Sequence, residues 1–519
     1  MHRALLVSEI LLGVFMHLMT VTTDQPLYEE SVTYWHEFDY RKFFSTKNTL
    51  SSDHNRYLTR LSFAALARTC KTFHEPAMDF LWADTGNHGI RPLLGCVTRL
   101  HPLIYYYRHD GKQRAPNWSG IEPISEHEAH QFLRYAARVR YLSVGTEVHL
   151  HLLTVFPILE ARMFPRLLAL EWKPDTNTML HLFLSPTLHR CALTDVHSDS
   201  KSIGALCHGL ESLSIWGEVT LEAYDLSLLS ESVRSCKRLK HLRCPSLDSA
   251  AWKYLSNLPT LVTLAICNGP YNALLDRDNI ILAPFLNVTA LNFHSRSATD
   301  IITIIQHSEF PSLKEFGATV DDLPWSDSEQ LFHALARCKA CHTLEIIHVD
   351  VFYPATERSD GTSTAIRQLL CFPQLRALRL SIQSFIHIDN DVLLEAMPSW
   401  PHIRSLELYS QRLRVFQPEG PPPTVTFRGL FAVLRLCPNL QALWLDIDAV
   451  NIDIDPENES FQHTSLQELD VCSSIAEDPE RVTRIISAML PRISTVIYNP
   501  TPFTSRGVWD EVNTRLRKN

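Results

Sequence analysis

The stretch FPQLRALRL, residues 372–380, is one copy of a phrase that runs through most of the chain. Its apolar residues Leu375, Leu378 and Leu380 are spaced by three and then by two. A spacing of two is that of a strand with one buried face. The phrase recurs as FPRLLALEW (164–172), GLESLSIWG (209–217), CKRLKHLRC (236–244), LPTLVTLAI (258–266), LNVTALNF (286–293) and FPSLKEFGA (310–318). It continues as CKACHTLEI (338–346), WPHIRSLEL (400–408), CPNLQALWL (437–445), TSLQELDV (464–471) and PRISTVIY (491–498). RVRYLSV (138–144) opens the series and PTLHRCALT (186–194) is a degenerate member.

About fourteen units result, and their second anchors run from Leu142 to Val496 with Leu344 and Leu378 among them. The mean step, near 27 residues, and the L-x-x-L-x-L frame are those of a leucine-rich repeat. Between the phrases lie segments with helical spacing: 297–306, 326–338, 362–370, 392–397, 427–437 and 478–490. Ser326 with Glu329 spells a capping box, and Asp478 before Pro479 spells an N-cap followed by Pro at N1. Each unit is therefore a strand and then a helix, too small to bury its own apolar face. The units must stack into an α/β solenoid, a horseshoe with parallel strands on its concave side. The expected domains are a helical module at 1–86 with an insertion at 19–57, a capping linker at 87–137, the solenoid at 138–500 and a C-terminal helix or tail at 501–519.

Strand parity turns Leu378 and Leu380 inward and Arg379 and Ser381 onto the concave surface. The same parity places Ser214, Trp216, Asn292, His294, Glu345, Glu407, Tyr409, Trp444, Asp446 and Asp470 there. A constant apolar frame with varied outward positions has the form of a recognition surface for a target protein.

Composition limits the alternatives. The chain has 519 residues, 45% of them hydrophobic and 20% charged, which is globular rather than disordered. A formal charge of −9 argues against nucleic-acid binding, and the chain lacks both GxGxxG and GxxxxGK[ST]. Twelve cysteines spread along the whole length read as free thiols of a reducing compartment, cytoplasmic or nuclear. The first twenty residues carry Leu6, Ile10, Val14 and Leu18 at helical spacing, interrupted by Ser8 and Glu9. They read as an amphipathic helix rather than a signal peptide, and no later run is long and apolar enough for a membrane span.

Two patterns dissolve on inspection. Cys338, Cys341 and His342 spell C-x-x-C-H, but they sit in the repeat frame, so the expectation is no haem and no metal. His127, Glu128 and His130 fall one residue short of H-E-x-x-H and read as a surface helix. No nucleophile and base stand at a usable spacing. The expectation is a non-catalytic chain without a cofactor, monomeric apart from its complex.

The N-terminus differs from the repeats. After the helix at 4–18 comes LTRLSFAALARTCKTFHEPAMDFLWADTG (58–86). Leu6, Glu9, Ile10, Leu11, Val14, Phe15 and Leu18, followed by Leu66, Cys70, Lys71, Phe73, Leu81 and Trp82, resemble an F-box split by an insertion. Val7 stands where that motif has Pro, and Phe73 where it has Trp. The arrangement is similar to a group of fungal F-box proteins with leucine-rich repeats. The resemblance implies an adaptor-binding set of Leu6, Ile10, Leu11, Val14, Phe15, Leu18, Leu66, Cys70, Lys71, Phe73 and Trp82. It also implies a Skp-family adaptor, through it a cullin, and the role of substrate-recognition subunit in an SCF-type ubiquitin ligase. The alternative is a repeat scaffold unconnected to ubiquitin, in which the helix at 4–18 caps the first coil.

Overall fold

The computed structural model of the chain describes residues 53–105, 120–145, 149–155, 163–174, 179–195, 198–216, 223–267, 282–351, 364–381, 388–409, 423–499 and 506–518. Two compact units meet in sequence between Leu239 and Lys240. The division does not fall at 86 or 137, because the N-terminal helices and the first four strands share one unit. In a stack of repeats each coil touches its neighbours, so a helical module joined to the first coil becomes part of it.

In the first unit, strands β1 (Tyr141–Val144), β2 (Ala169–Trp172), β3 (Arg190–Leu193) and β4 (Ser212–Ile215) pair in parallel and in chain order. Leu142, Leu170, Cys191 and Leu213 stand side by side and are buried. The second unit continues with β5 (His241–Cys244), β6 (Thr263–Cys267), β7 (Ala290–Ser295), β8 (Glu315–Val320) and β9 (Ile346–Val351). Then follow β10 (Ala377–Ser381), β11 (Ser405–Tyr409), β12 (Ala442–Leu445), β13 (Glu468–Asp470) and β14 (Val496–Ile497). All pair in parallel, with Leu242, Leu264, Leu291, Phe316, Ile347, Leu378, Leu406, Leu443, Leu469 and Val496 in one buried row. Turn, strand and helix recur in each unit, so the chain is an α/β leucine-rich-repeat protein.

The repeated phrase is a turn that feeds a strand. In FPQL the amide of Leu375 donates to Phe372 O at 3.2 Å, with Pro373 at the second turn position. Pro presets that backbone angle and lacks an N–H the turn would leave unused. Leu167 bonds Phe164, Leu313 bonds Phe310, Ile403 bonds Trp400 and Leu440 bonds Cys437 in the same way, each across a Pro. The residues after the turn then bond coil to coil: Arg376 N–H donates to Glu345 O, Arg404 to Arg376, Gln441 to Arg404 and Gln467 to Gln441, at 2.7 to 2.8 Å.

One frame differs from the sequence reading. Ile347, not Leu344, aligns with Leu378, and both neighbouring steps become 31 residues. Leu344 is the first anchor of its unit, in the place of Leu375. Cys341 therefore takes the place of Phe372 and Cys437, and Cys338 lies one turn earlier.

Helix ends follow local chemistry. Asp478 caps Pro479–Met489 by accepting from Arg481 N–H at 2.9 Å. The box expected of Ser326 and Glu329 does not form: the helix starts at Trp325, after Pro324, without a side-chain cap. The backbone turn set by Pro324 starts the helix two residues too early for Ser326 to flank it. A box does form on Glu126–Ala136, where Ser125 Oγ accepts from Glu128 N–H and Glu128 accepts from Ser125 N–H at 2.8 Å. Arg99, bonded to Glu128 at 2.9 Å, helps bring that carboxyl down to about 2. His127 and His130 of this helix, exposed or bonded to helix backbone, are surface residues as expected.

The last strand is closed by a side chain. Asn513, on helix Arg506–Leu516, accepts from Val496 N–H at 2.7 Å and donates to Val496 O at 2.9 Å. Trp509 of the same helix is fully buried and donates to Ser474 O at 2.9 Å. Asn513→Ala leaves a buried strand amide and carbonyl unpaired. It should destabilise the second unit by about 1–3 kcal/mol in a urea titration, whereas exposed Arg517→Ala should shift it by under about 0.5 kcal/mol.

Candidate protein-interaction surfaces

The sheet face opposite the leucine row carries the variable residues. In the second unit its central row reads Arg243, Ala265, Asn292, Gly317, His348, Arg379, Glu407, Trp444, Asp470 and Ile497. The row two residues on includes His294, Thr319, Asp350, Ser381 and Tyr409. Gly317 leaves a gap into which Asn292 leans, since a Cβ there would lie 2.1 Å from Asn292 Oδ1.

An ionic cluster occupies the middle of this face. Arg379 Nε donates to Asp350 Oδ1 at 3.1 Å, and Arg379 Nη1 lies 3.6 Å from Glu407 Oε2. Each of the three side chains is less than a tenth exposed. Ser405 Oγ donates to Glu407 Oε1 at 3.0 Å, while Glu407 Oε2 accepts no hydrogen bond. Burial pushes the Glu407 carboxyl up, Arg379 and Ser405 oppose it, and Glu468 and Asp350 add to it. Burial brings the neighbouring His348 down to about 4, against the pull of Asp350. The imidazole is thus neutral at physiological pH. A buried pair of this kind costs desolvation on both sides, and its register on the strands is what makes the pairing possible.

The structure corrects the expected surface in two respects. Ser214, Arg379, Ser381, Glu407 and Asp470 lie on the expected face but are buried, where solvated positions were expected. Parity names the side of a strand and not what lies over it. Glu345 is not on that face at all, because the frame of its unit is shifted by three residues. It sits in the turn before β9, half-buried, with Lys314 at 3.2 Å and Arg376 at 3.3 Å. His348 and Asp350 take the face positions of that unit and were missed for the same reason; the signal was the valine-containing alternation after Leu344. Trp216, Asn292, His294, Trp444 and Asp446 are half-buried on the face. The Tyr409 side chain lies outside the described residues.

On the first unit, Ser143 Oγ donates to Glu171 Oε2 at 2.5 Å and Lys173 pairs with Glu171 at 3.0 Å. Ser214 Oγ is buried without a hydrogen-bond partner.

The N-terminal candidates divide. Leu6, Ile10, Leu11, Val14, Phe15 and Leu18 lie outside the described residues. Of the rest, Leu66 lies on helix Asp53–Ala67, Lys71, Phe73 and Trp82 on helix Lys71–Ala83, and Cys70 between the two, so they do not form one run. Phe63, Ala67 and Ala77 form their core, with Leu66, Phe73, Met78, Phe80 and Leu81 packed on it. Phe63 stacks on Phe80 at 5.3 Å. Leu66 and Phe73 are therefore half-buried against the pair's own core. Trp82 packs on Tyr135 at 4.8 Å, in the helix leading to β1. Cys70 is half-buried in the link between the helices, and Lys71 is exposed. Among the described side chains, Leu61, 48% exposed, is a large apolar residue that the pair leaves outward. Arg138 holds the pair to the coil through Glu75 and Asp79, Arg166 reaches Asp79 at 3.3 Å, and Asp84 bridges to Tyr141 beside β1.

All twelve cysteines are free thiols, seven of them buried. Among the described residues no group of three or more His, Cys, Asp or Glu is placed to hold a metal ion. No described helix is long and apolar enough to cross a membrane.

No protein-family model matches the sequence, and no curated protein matches it. Solved structures do. An internalin, inlF, of Listeria monocytogenes shares 13% identity over 69% of this chain and 87% of its own, with a TM-score of 0.33. The complex of Rad7 and Elc1 in yeast gives 12% identity, coverage of 71% and 97%, and a TM-score of 0.30. The TLR13–ssRNA13 complex gives 12% identity, coverage of 72% and 54%, and a TM-score of 0.31. Likenesses this distant carry no argument about function.

Glu315, two residues before Gly317 on the polar face, offers a direct check of these electrostatics. Its buried Oε1 has no hydrogen-bond partner, and burial pushes its carboxyl up to about 7. The folded chain then holds a proton that the unfolded chain releases near 4.5, so stability falls as pH rises between those values. Glu315→Gln should match the natural chain at pH 4.5 and exceed it by about 1–3 kcal/mol at pH 8 in thermal or urea unfolding.

Proposed function

We propose that this protein is a non-catalytic protein-binding scaffold, and that it serves as the substrate-recognition subunit of an SCF-type ubiquitin ligase. The observation that carries the scaffold reading is the polar face of the second unit. Its backbone repeats, yet its side chains change from rung to rung, from Asn292 to His348, Arg379, Glu407 and Trp444. Nothing in folding alone requires that variety, and a binding face does.

The ligase half rests on the F-box resemblance. What supports it is the attachment of the helix pair. Glu75 and Asp79 are tied to Arg138, so an adaptor held by the N-terminal helices would keep a fixed bearing on the first coil. The chain would act by proximity, holding a target near a ubiquitin-loaded partner and raising the effective concentration of its lysines. The Skp-family adaptor, the cullin beyond it and an action in cytoplasm or nucleus all belong to this reading.

The test is co-purification of the full chain with a Skp-family adaptor. The natural chain should retain the adaptor. The double variant Ile10→Asp/Phe15→Asp should lose it while keeping the same urea unfolding midpoint. A folded natural chain that retains no adaptor would leave the scaffold without the ligase.

A further inference from the structure

We propose that arginine stands in place of lysine over the coils from β9 to β14 so that the chain is not itself a substrate of the ubiquitin transfer it promotes. The inference rests on the ligase reading above and adds a regulation of that same assembly.

The observation is an uneven use of the two cations. Twelve of the chain's 48 Lys and Arg residues are lysines. Eleven of the twelve lie at or before Lys339, and the last is Lys518. Residues 340–517 hold fifteen arginines, and all Lys and Arg positions in that span are arginine. A uniform preference for arginine would scatter the lysines along the chain. Here they stop just before β9 and return two residues from the end.

Folding does not ask for arginine at several of these places. Arg379 is the exception, since its buried guanidinium serves two carboxylates at once. Arg367 meets Glu395 through Nε at 3.1 Å, with both side chains about half exposed. Lys339 does the same work in an earlier coil, where its ammonium meets Glu309 at 2.7 Å. Exposed Arg404, Arg481 and Arg492 make no ion pair among the described residues. Arg481 stands on helix Pro479–Met489, where lysine has nearly the same propensity. On the second unit's polar face the cationic strand residues are likewise arginines, Arg243 and Arg379.

The two cations differ in what they can accept. A neutral lysine amine attacks the carbonyl carbon of the thioester that joins ubiquitin to its carrier. The C–N bond of an isopeptide forms, the C–S bond breaks, and the departing carrier thiolate takes up the proton that the nitrogen gives up. A guanidinium stays protonated and delocalised and has no free lone pair for that attack. A chain that raises the effective concentration of a target's lysines near the carrier raises that of its own as well. Arginine keeps the charge and the ion pairs while removing the acceptor. The span so treated carries the polar face from His348 to Ile497, where a bound target would sit.

The test is a ubiquitin-transfer reaction with the full chain assembled on a Skp-family adaptor and a cullin module with its carrier-recruiting subunit. Conjugation sites are read by peptide mass spectrometry, and discharge of ubiquitin onto free lysine shows that the assembly is active. Arg404→Lys/Arg481→Lys/Arg492→Lys should carry ubiquitin at the introduced lysines and raise self-modification about threefold over the natural chain. Its urea midpoint should stay in place. Arg91→Lys/Arg140→Lys, at exposed positions of the first unit where lysines are already tolerated, should gain no conjugate at either position. An active assembly that leaves the three introduced lysines unmodified overturns the inference and spares the ligase reading. Equal modification of the two variants does the same, because transfer is then indiscriminate. A folded chain that retains no adaptor removes the ligase reading and this inference with it.

Discussion

Everything in this chain hangs on a turn of four residues followed by parallel pairing in fixed register. The turn sets the direction in which the backbone leaves one coil. The ladder from Glu345 through Arg376, Arg404 and Gln441 then takes the backbone of each coil as the template for the next. Once the register is set, the inward row follows, because a slip of one residue would turn every leucine outward. Proline suits this design at the second position of the turn and at the start of a helix, as at Pro479. That is how a chain with 30 prolines and 16 glycines supports so much regular structure.

The same register writes the chemistry of the opposite face. Arg379 meets Asp350 and Glu407 because the three occupy corresponding or adjoining positions on consecutive strands. Removing the guanidinium would strand two buried carboxylates, a loss of about 3–5 kcal/mol. The cluster therefore ties the chemistry of the polar face to folding: these side chains are ones the sheet cannot easily lose. Asp470 shows the milder form of this. Its Oδ1 accepts the Cys472 amide at 2.7 Å and shapes the turn after β13 while standing beside Trp444. Cys472 is the non-glycine residue with a positive φ, 50°, in that turn.

Periodicity made the strands and the inward rows legible in the sequence, since they depend on apolar spacing alone. The exception, CKACHTLEI, failed for a physical reason. Cys341 and Leu344 imitate the two anchors of the frame, and only pairing with β10 shows that Leu344 and Ile347 are the true ones. Burial on the polar face was not legible. Arg379 and Glu407 look like solvated strand positions until the ion pair is seen, because parity carries no information about neighbours in the other strands. The helix pair was less legible: apolar spacing over 61–73 does not show the break at Cys70, and Leu66 and Phe73 pack partly against the pair's own core. Leu6 to Leu18 lie outside the described residues, so the adaptor-binding half of the motif stays with the resemblance that suggested it.

Asn513 imposes a constraint of another kind. Its carboxamide imitates the backbone of a fifteenth strand, offering β14 one acceptor and one donor in the places a further coil would use. Growth of the array by duplication at that end would have to displace both the carboxamide and the buried Trp509. Coils in the interior meet no such barrier, since each is bounded by others of the same kind.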